Sequence, residues 1–118
     1  MQKRAFGNFG EQLACDFIQK KGYEILSRNF FVKGGEIDII ARQGNDLVVI
    51  EVKTRASLVY GFGEEAVDAR KLHRMRYALT QYHVLFKIRY VRFDIISIEI
   101  DRMRMTSKIR HIKDIQTS

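Results

Sequence analysis

The sequence predicts an α/β protein, a mixed β-sheet covered by helices in the order α-β-β-β-α-β. Three observations carry that expectation. An amphipathic helical period opens the chain, a hairpin signature at Gly44-Asn45 joins two apolar strands, and a second helical period precedes an isoleucine-rich strand.

The first helix is expected from Asn8 to Lys21. Asn8 can cap it, with Glu11 at the third helical position as in a capping box. Leu13, Ala14, Phe17 and Ile18 form the apolar stripe, and Gly22 stops the helix. Glu11 falls at the edge of that stripe and can look toward the sheet as well as cap; sequence physics favours the cap. Tyr23 to Phe31 reads as the first strand.

The hairpin follows. Glycine accepts positive φ at the first loop position, so a Gly44-Asn45 loop pairs Gln43 with Asp46, and paired residue numbers sum to 89. Alternation then puts Ile37, Ile39, Ala41, Val48, Ile50 and Val52 on one apolar face. The other face carries Ile40, Leu47 and Val49 near the turn, and Asp38, Glu51, Glu36 and Lys53 farther away. This register sets Asp38 opposite Glu51 and Glu36 opposite Lys53, with Cβ atoms roughly 5 Å apart, where like charges are destabilising.

Residues 56–63 read as a loop whose glycines permit a sharp turn or a mobile flap and which lacks the Lys-Ser/Thr of a phosphate loop. Glu64 to about His83 reads as a second helix with Leu72, Met75, Ala78, Leu79 and Tyr82 on its apolar stripe. Arg70, Arg74, Tyr77 and Gln81 line the opposite side, which is a solvated face or a contact for a polyanion. Lys71 lies on the apolar side; it either snorkels to the rim or points into the charged end of the sheet. Ile88 to Ile100 is a strand, and the tail from Arg102 to Ile115 has room for one more edge strand through Met103, Met105 and Ile109.

With 118 residues and 46% hydrophobic content, the chain suits a single domain. No apolar run reaches membrane-span length, no signal-type segment follows the basic N-terminus, and Cys15 is alone, so cytoplasmic placement is expected. The net charge of +7 is concentrated: Arg70 to Arg92 holds seven Lys/Arg and no acid. That asymmetry fits a nucleic-acid partner, although a soluble basic protein without one has the same composition. His73, His83 and His111 have no metal-ligand spacing, and Tyr90 and Phe93 beside Arg89 and Arg92 offer a base-stacking site, though on a strand they are more often core.

The hairpin carries the chemistry. Asp38 and Glu51 offer hard oxygens to Mg²⁺ or Mn²⁺, and the Val52 carbonyl is a further donor. Lys53 can position an attacking water or stabilise charge developing on a phosphate. Taken alone, these residues read first as a surface hairpin with Lys53–Glu36 and Lys53–Glu51 salt bridges.

The blocks Gly10-Glu11, Gly35-Glu36-Ile37-Asp38-Ile39-Ile40-Ala41, Glu51-Val52-Lys53-Thr54-Arg55, Glu65-Ala66-Val67, Lys71 and Arg92-Phe93-Asp94 resemble the small YraN-like bacterial family up to about Ile98. Asp38, twelve residues, then Glu51-Val52-Lys53 resembles the PD-(D/E)XK nuclease superfamily, and the acids are similar to those of archaeal Holliday-junction resolvases. The resemblance implies a restriction-endonuclease-like sheet flanked by helices in one nuclease-like domain over residues 1–118, of which about 99–118 form a C-terminal extension that the family blocks do not reach. It makes Asp38 and Glu51 metal ligands, Lys53 the catalytic lysine and Glu11 a helix-borne acid near the metal, against the capping reading. Arg55 and Lys71 would contact phosphate at the mouth of the site, joined by Arg70 and Arg74 on the basic helix. The implied activity is Mg²⁺- or Mn²⁺-dependent hydrolysis of DNA, branched or structured, by an endonuclease that would act on junctions as a homodimer. The alternative is a nucleic-acid-binding or scaffold protein that keeps the fold without cleaving.

Overall fold

The computed structural model describes residues 3–32, 35–56, 74 and 90–115. Helix α1 (Lys3–Lys20) is followed by β1 (Glu24–Val32), β2 (Gly35–Gln43), β3 (Asp46–Ala56), β4 (Tyr90–Asp101) and β5 (Thr106–Ile112). The strands form one sheet in chain order, β1-β2-β3-β4-β5. β3 and β4 run parallel and the other neighbours antiparallel, so the sheet is mixed, as expected. A parallel pair needs a long crossover, and residues 57–89 supply that length. The expected second helix lies outside the described residues except for Arg74, which is helical and exposed. The tail does add an edge strand, but Met103 and Met105 stand exposed in the turn before it, and only Ile109 of the three packs on the core.

Helix α1 differs from expectation at its start. It begins at Lys3, so Asn8 is an exposed interior residue and the capping box with Glu11 does not form. The apolar period runs further back than the cap signal suggested: Phe6, Phe9 and Leu13 continue it past Asn8 and line a cleft of about 380 Å³ with Ile100 and Met105. At the other end, Tyr23 N–H donates to Ile18 O and Gly22 N–H to Gln19 O, both at 3.0 Å, with Gly22 at φ 92°. This is a Schellman stop, which only glycine enters without strain.

Two apolar clusters mark the faces of the sheet. Ala14, Cys15, Ile18 and Tyr23 pack on Ile39, Ala41, Val48, Ile50, Ile96 and Ile98. The opposite face gathers Ile37, Ile40, Leu47, Val49 and Ile95, with Phe30, Val91 and Phe93 against them. Ile37 is a correction: strict alternation placed it with Ile39, and it packs on the other face. The reason lies in β1. Asn29 adopts φ 52°, a left-handed conformation, between Arg28, which reaches Gln12 of α1, and Phe30, which packs on the opposite cluster. Because β2 stays in register with β1 at Arg28–Ile39 and Phe30–Ile37, it turns over with it.

Candidate active site

The hairpin closes as its sequence demands. Gly44 has φ 61°, and the pairs run Gln43–Asp46 to Ile39–Ile50, all summing to 89. There the ladder stops. β3 keeps its alternation, with Val48, Ile50 and Val52 on the helix side, whereas β2 turns with β1 and leaves it. In a continued ladder the next bonded pair would be Ile37–Val52. Instead the Val52 N–H donates to Asp38 Oδ2 at 2.8 Å. A buried amide needs a partner, and the carboxylate supplies one where the strand has gone.

Asp38 therefore sits in the split between two strands, not on a flat face opposite Glu51. Glu51 projects beside the split, only 4% exposed, and Lys53 Nζ lies 3.5 Å from its Oε1. Glu36 does not hold Lys53, since it is exposed and lies across from Phe31 of β1. α1 brings a further acid. Gly10 lets the helix lie against β3 so closely that a Cβ there would fall 1.8 Å from Thr54 Oγ1. Glu11, the next residue, is consequently 9% exposed, with its Oε1 buried and without a hydrogen-bond partner.

The electrostatics record this crowding. Burial, then the charge of Glu51, raise the Asp38 carboxyl to about 7 against the pull of the Val52 N–H, and Glu11 and Glu36 add to the rise. Burial also lifts Glu11; Arg28 opposes it, while Glu36 and Glu51 reinforce it. Such acids disfavour joint ionisation unless a cation joins them. Among the described residues, no three His, Cys, Asp or Glu side chains stand close enough to hold an ion by themselves. The donor set nonetheless fits Mg²⁺, which takes one or two carboxylates and completes its shell with water and phosphate. The unpartnered Glu11 Oε1 is aimed into the protein beside these acids, and hard oxygen is the right chemistry.

Of the expected phosphate contacts, Arg55 is half-buried on β3, on the side of the strand that carries Glu51 and Lys53, with Glu99 of β4 as its register partner. Arg74 is exposed, and Arg70 and Lys71 lie outside the described residues. Sequence reading missed a second polar centre. Asp94, 1% exposed, accepts from Arg92 Nε and Nη2 at 3.0 Å, bonds His111 Nε2 at 2.7 Å and accepts the Asp114 N–H at 2.9 Å. Arg92 also donates to Tyr23 and Gln43, and His111 packs edge-on to Phe17. The Arg92-Phe93-Asp94 block thus ties β4, β5 and the end of α1 together. Burial would raise the Asp94 carboxyl, but the bonds from His111, Arg92 and Asp114 outweigh it and hold it below its ordinary value.

No helix among the described residues is long and apolar enough to cross a membrane. The model of the uncharacterised protein family UPF0102 matches residues 10–98, which contain Glu11, Asp38, Glu51 and Lys53. A UPF0102 protein of Caldicellulosiruptor bescii is 44% identical over 117 residues, 97% of this chain and 98% of that protein. One from Caldicellulosiruptor saccharolyticus is 41% identical over the same shares, and one from Clostridium botulinum 42% identical over 112 residues, 92% and 90% of the two chains. These matches span nearly the whole chain, and it belongs to the UPF0102 family, the YraN-like group that its sequence blocks resemble.

Proposed function

We propose that this chain is a Mg²⁺- or Mn²⁺-dependent endonuclease of the restriction-endonuclease-like type, hydrolysing phosphodiesters in branched or otherwise structured DNA in the cytoplasm. The observation that carries the reading is the Asp38 carboxylate in the β2–β3 split, electrostatically coupled to Glu51, with Lys53 3.5 Å from Glu51.

Asp38, Glu51, the Val52 carbonyl and Glu11 would hold the metal, which supplies Lewis acidity toward a phosphate oxygen. The protein's own groups do the rest. The Val52 N–H fixes one Asp38 oxygen, so this carboxylate is oriented before any ligand arrives. Lys53 is 35% exposed at its side chain, within reach of solvent and substrate, and is anchored by Glu51. It can orient an attacking water or neutralise charge that grows on the phosphate. Arg55, Arg74, Arg70 and Lys71 are the proposed backbone contacts, and two copies would be needed to cut a junction symmetrically.

The test is cleavage of linear, nicked and four-way-junction DNA with Mg²⁺ and with Mn²⁺. Activity that disappears in Asp38→Ala and Lys53→Ala supports the proposal. Intact DNA with both metals, or cleavage that survives both substitutions, refutes it. Salt-sensitive DNA binding that persists in EDTA and ignores Glu51→Ala would point to the binding-protein alternative.

A further inference from the structure

The split between β2 and β3 has an identifiable origin in the neighbouring strand. Asn29 of β1 is the residue that faces Asp38 across the β1–β2 register, between the register pairs Arg28–Ile39 and Phe30–Ile37. Its φ of 52° is left-handed, a conformation costly for L-residues and accepted mainly by Gly, Asn and Asp. Its side chain is exposed, so core packing does not explain an asparagine in mid-strand, where that residue type is disfavoured.

The consequence for the site is direct. One left-handed residue reverses which face β1 presents: Arg28 reaches Gln12 on the helix side and Phe30 packs on the other. β2 is paired with β1 on both sides of the step, so Ile39 and Ile37 are reversed in the same way. β3 makes no such step, and its pairing with β2 ends at Ile39–Ile50. Asp38 lies on the step itself, and its carboxylate reaches the Val52 N–H.

We propose that Asn29 is a positioning residue for the acid pair: its left-handed backbone turns β1 and β2 together away from β3 and so delivers Asp38 to Val52 and Glu51. The claim that this positioning serves metal binding rests on the function proposed above; the positioning itself does not.

The experiment compares wild type with Asn29→Gly, Asn29→Ala and Asn29→Val by amide hydrogen exchange and by Mn²⁺ titration calorimetry. Gly keeps the left-handed conformation, Ala tolerates it poorly, and Val, being β-branched, tolerates it least. Asn29→Gly is expected to keep Val52 amide protection and Mn²⁺ affinity to within about 3-fold. Asn29→Val should lose Val52 protection relative to Ile50, which pairs with Ile39 and reports overall stability, and should bind Mn²⁺ at least about 10-fold more weakly. Asn29→Ala, expected in between, provides the reading if the valine variant fails to fold. Unchanged Val52 protection in both Ala and Val variants would overturn the proposal, as would a glycine variant as impaired as valine. Wild type that binds no Mn²⁺, while Val52 protection still follows the Gly, Ala, Val order, would sink the metal reading and leave the positioning intact.

Discussion

Replacing Asp38 by asparagine should stabilise the metal-free protein at neutral to alkaline pH, the reverse of what removing a buried hydrogen-bonded carboxylate normally does. The folded carboxyl is raised from 3.8 to about 7, by burial first and then by Glu51, with Glu11 and Glu36 contributing. For an acid raised in this way, the stabilising contribution is complete below about pH 3.8 and is lost as pH climbs through about 7. The displacement of about 3 units corresponds to about 4 kcal/mol at 1.36 kcal/mol per unit. Residual solvent contact screens part of it, and the amide is a weaker acceptor for Val52 N–H, so about 2 kcal/mol is the expected net gain. In a domain of this size that is a rise of about 8 °C in thermal midpoint.

The assay is thermal unfolding of both proteins in EDTA at about pH 8 and at about pH 4, where wild-type Asp38 is protonated and the two midpoints should converge. Saturating Mn²⁺ should then narrow or reverse the gap at alkaline pH by raising wild type alone, by about 2.7 kcal/mol at a hundred times Kd. An Asp38→Asn protein that is less stable than wild type by the same margin at both pH values refutes the reasoning, since the carboxylate would then carry no charge strain.

Other outcomes follow from single contacts. Gly10→Ala places a methyl 1.8 Å from Thr54 Oγ1, must push α1 from β3, and should cost about 1–3 kcal/mol in urea unfolding. Gly22→Ala meets nothing within 4 Å but keeps φ 92°, so its loss of about 1–2 kcal/mol is backbone strain alone and should leave Mn²⁺ affinity unchanged. Asp94→Ala strands the Arg92 guanidinium and His111 together and should cost about 3–5 kcal/mol by denaturant titration. Because the Asp94 carboxyl lies below its ordinary value, wild type should lose stability as pH falls below about 4 and through that lowered value, and this limb should be shallower in the Asp94→Ala protein.

Much of the architecture is legible because it is local. Gly44-Asn45 specifies a register that the structure reproduces from Gln43–Asp46 to Ile39–Ile50 but not beyond, where Asp38–Glu51 and Glu36–Lys53 were expected, and Gly22 ends α1 as its position predicts. The Ile18 stripe and the β-branched strands are equally readable, since each follows from a short period and burial of one face. The start of α1 was misread for a related reason. A cap is a short-range signal, and here the apolar period continues past it through Phe6 and Phe9, which face Ile100 of β4 across a cleft.

The amino-acid sequence thus determined by itself which residues could do chemistry: two acids and a lysine on a hairpin, and a glutamate on the first helix. Tertiary structure decided where they stand. Asp38 lies in a split because β1 carries a left-handed residue, and no pattern within β2 or β3 encodes that step. Glu11 faces inward because Gly10 meets Thr54 across the core, and Asp94 finds His111 only when β5 pairs with β4. Each of these joins residues distant in the chain, and periodicity reports only neighbours a few residues apart.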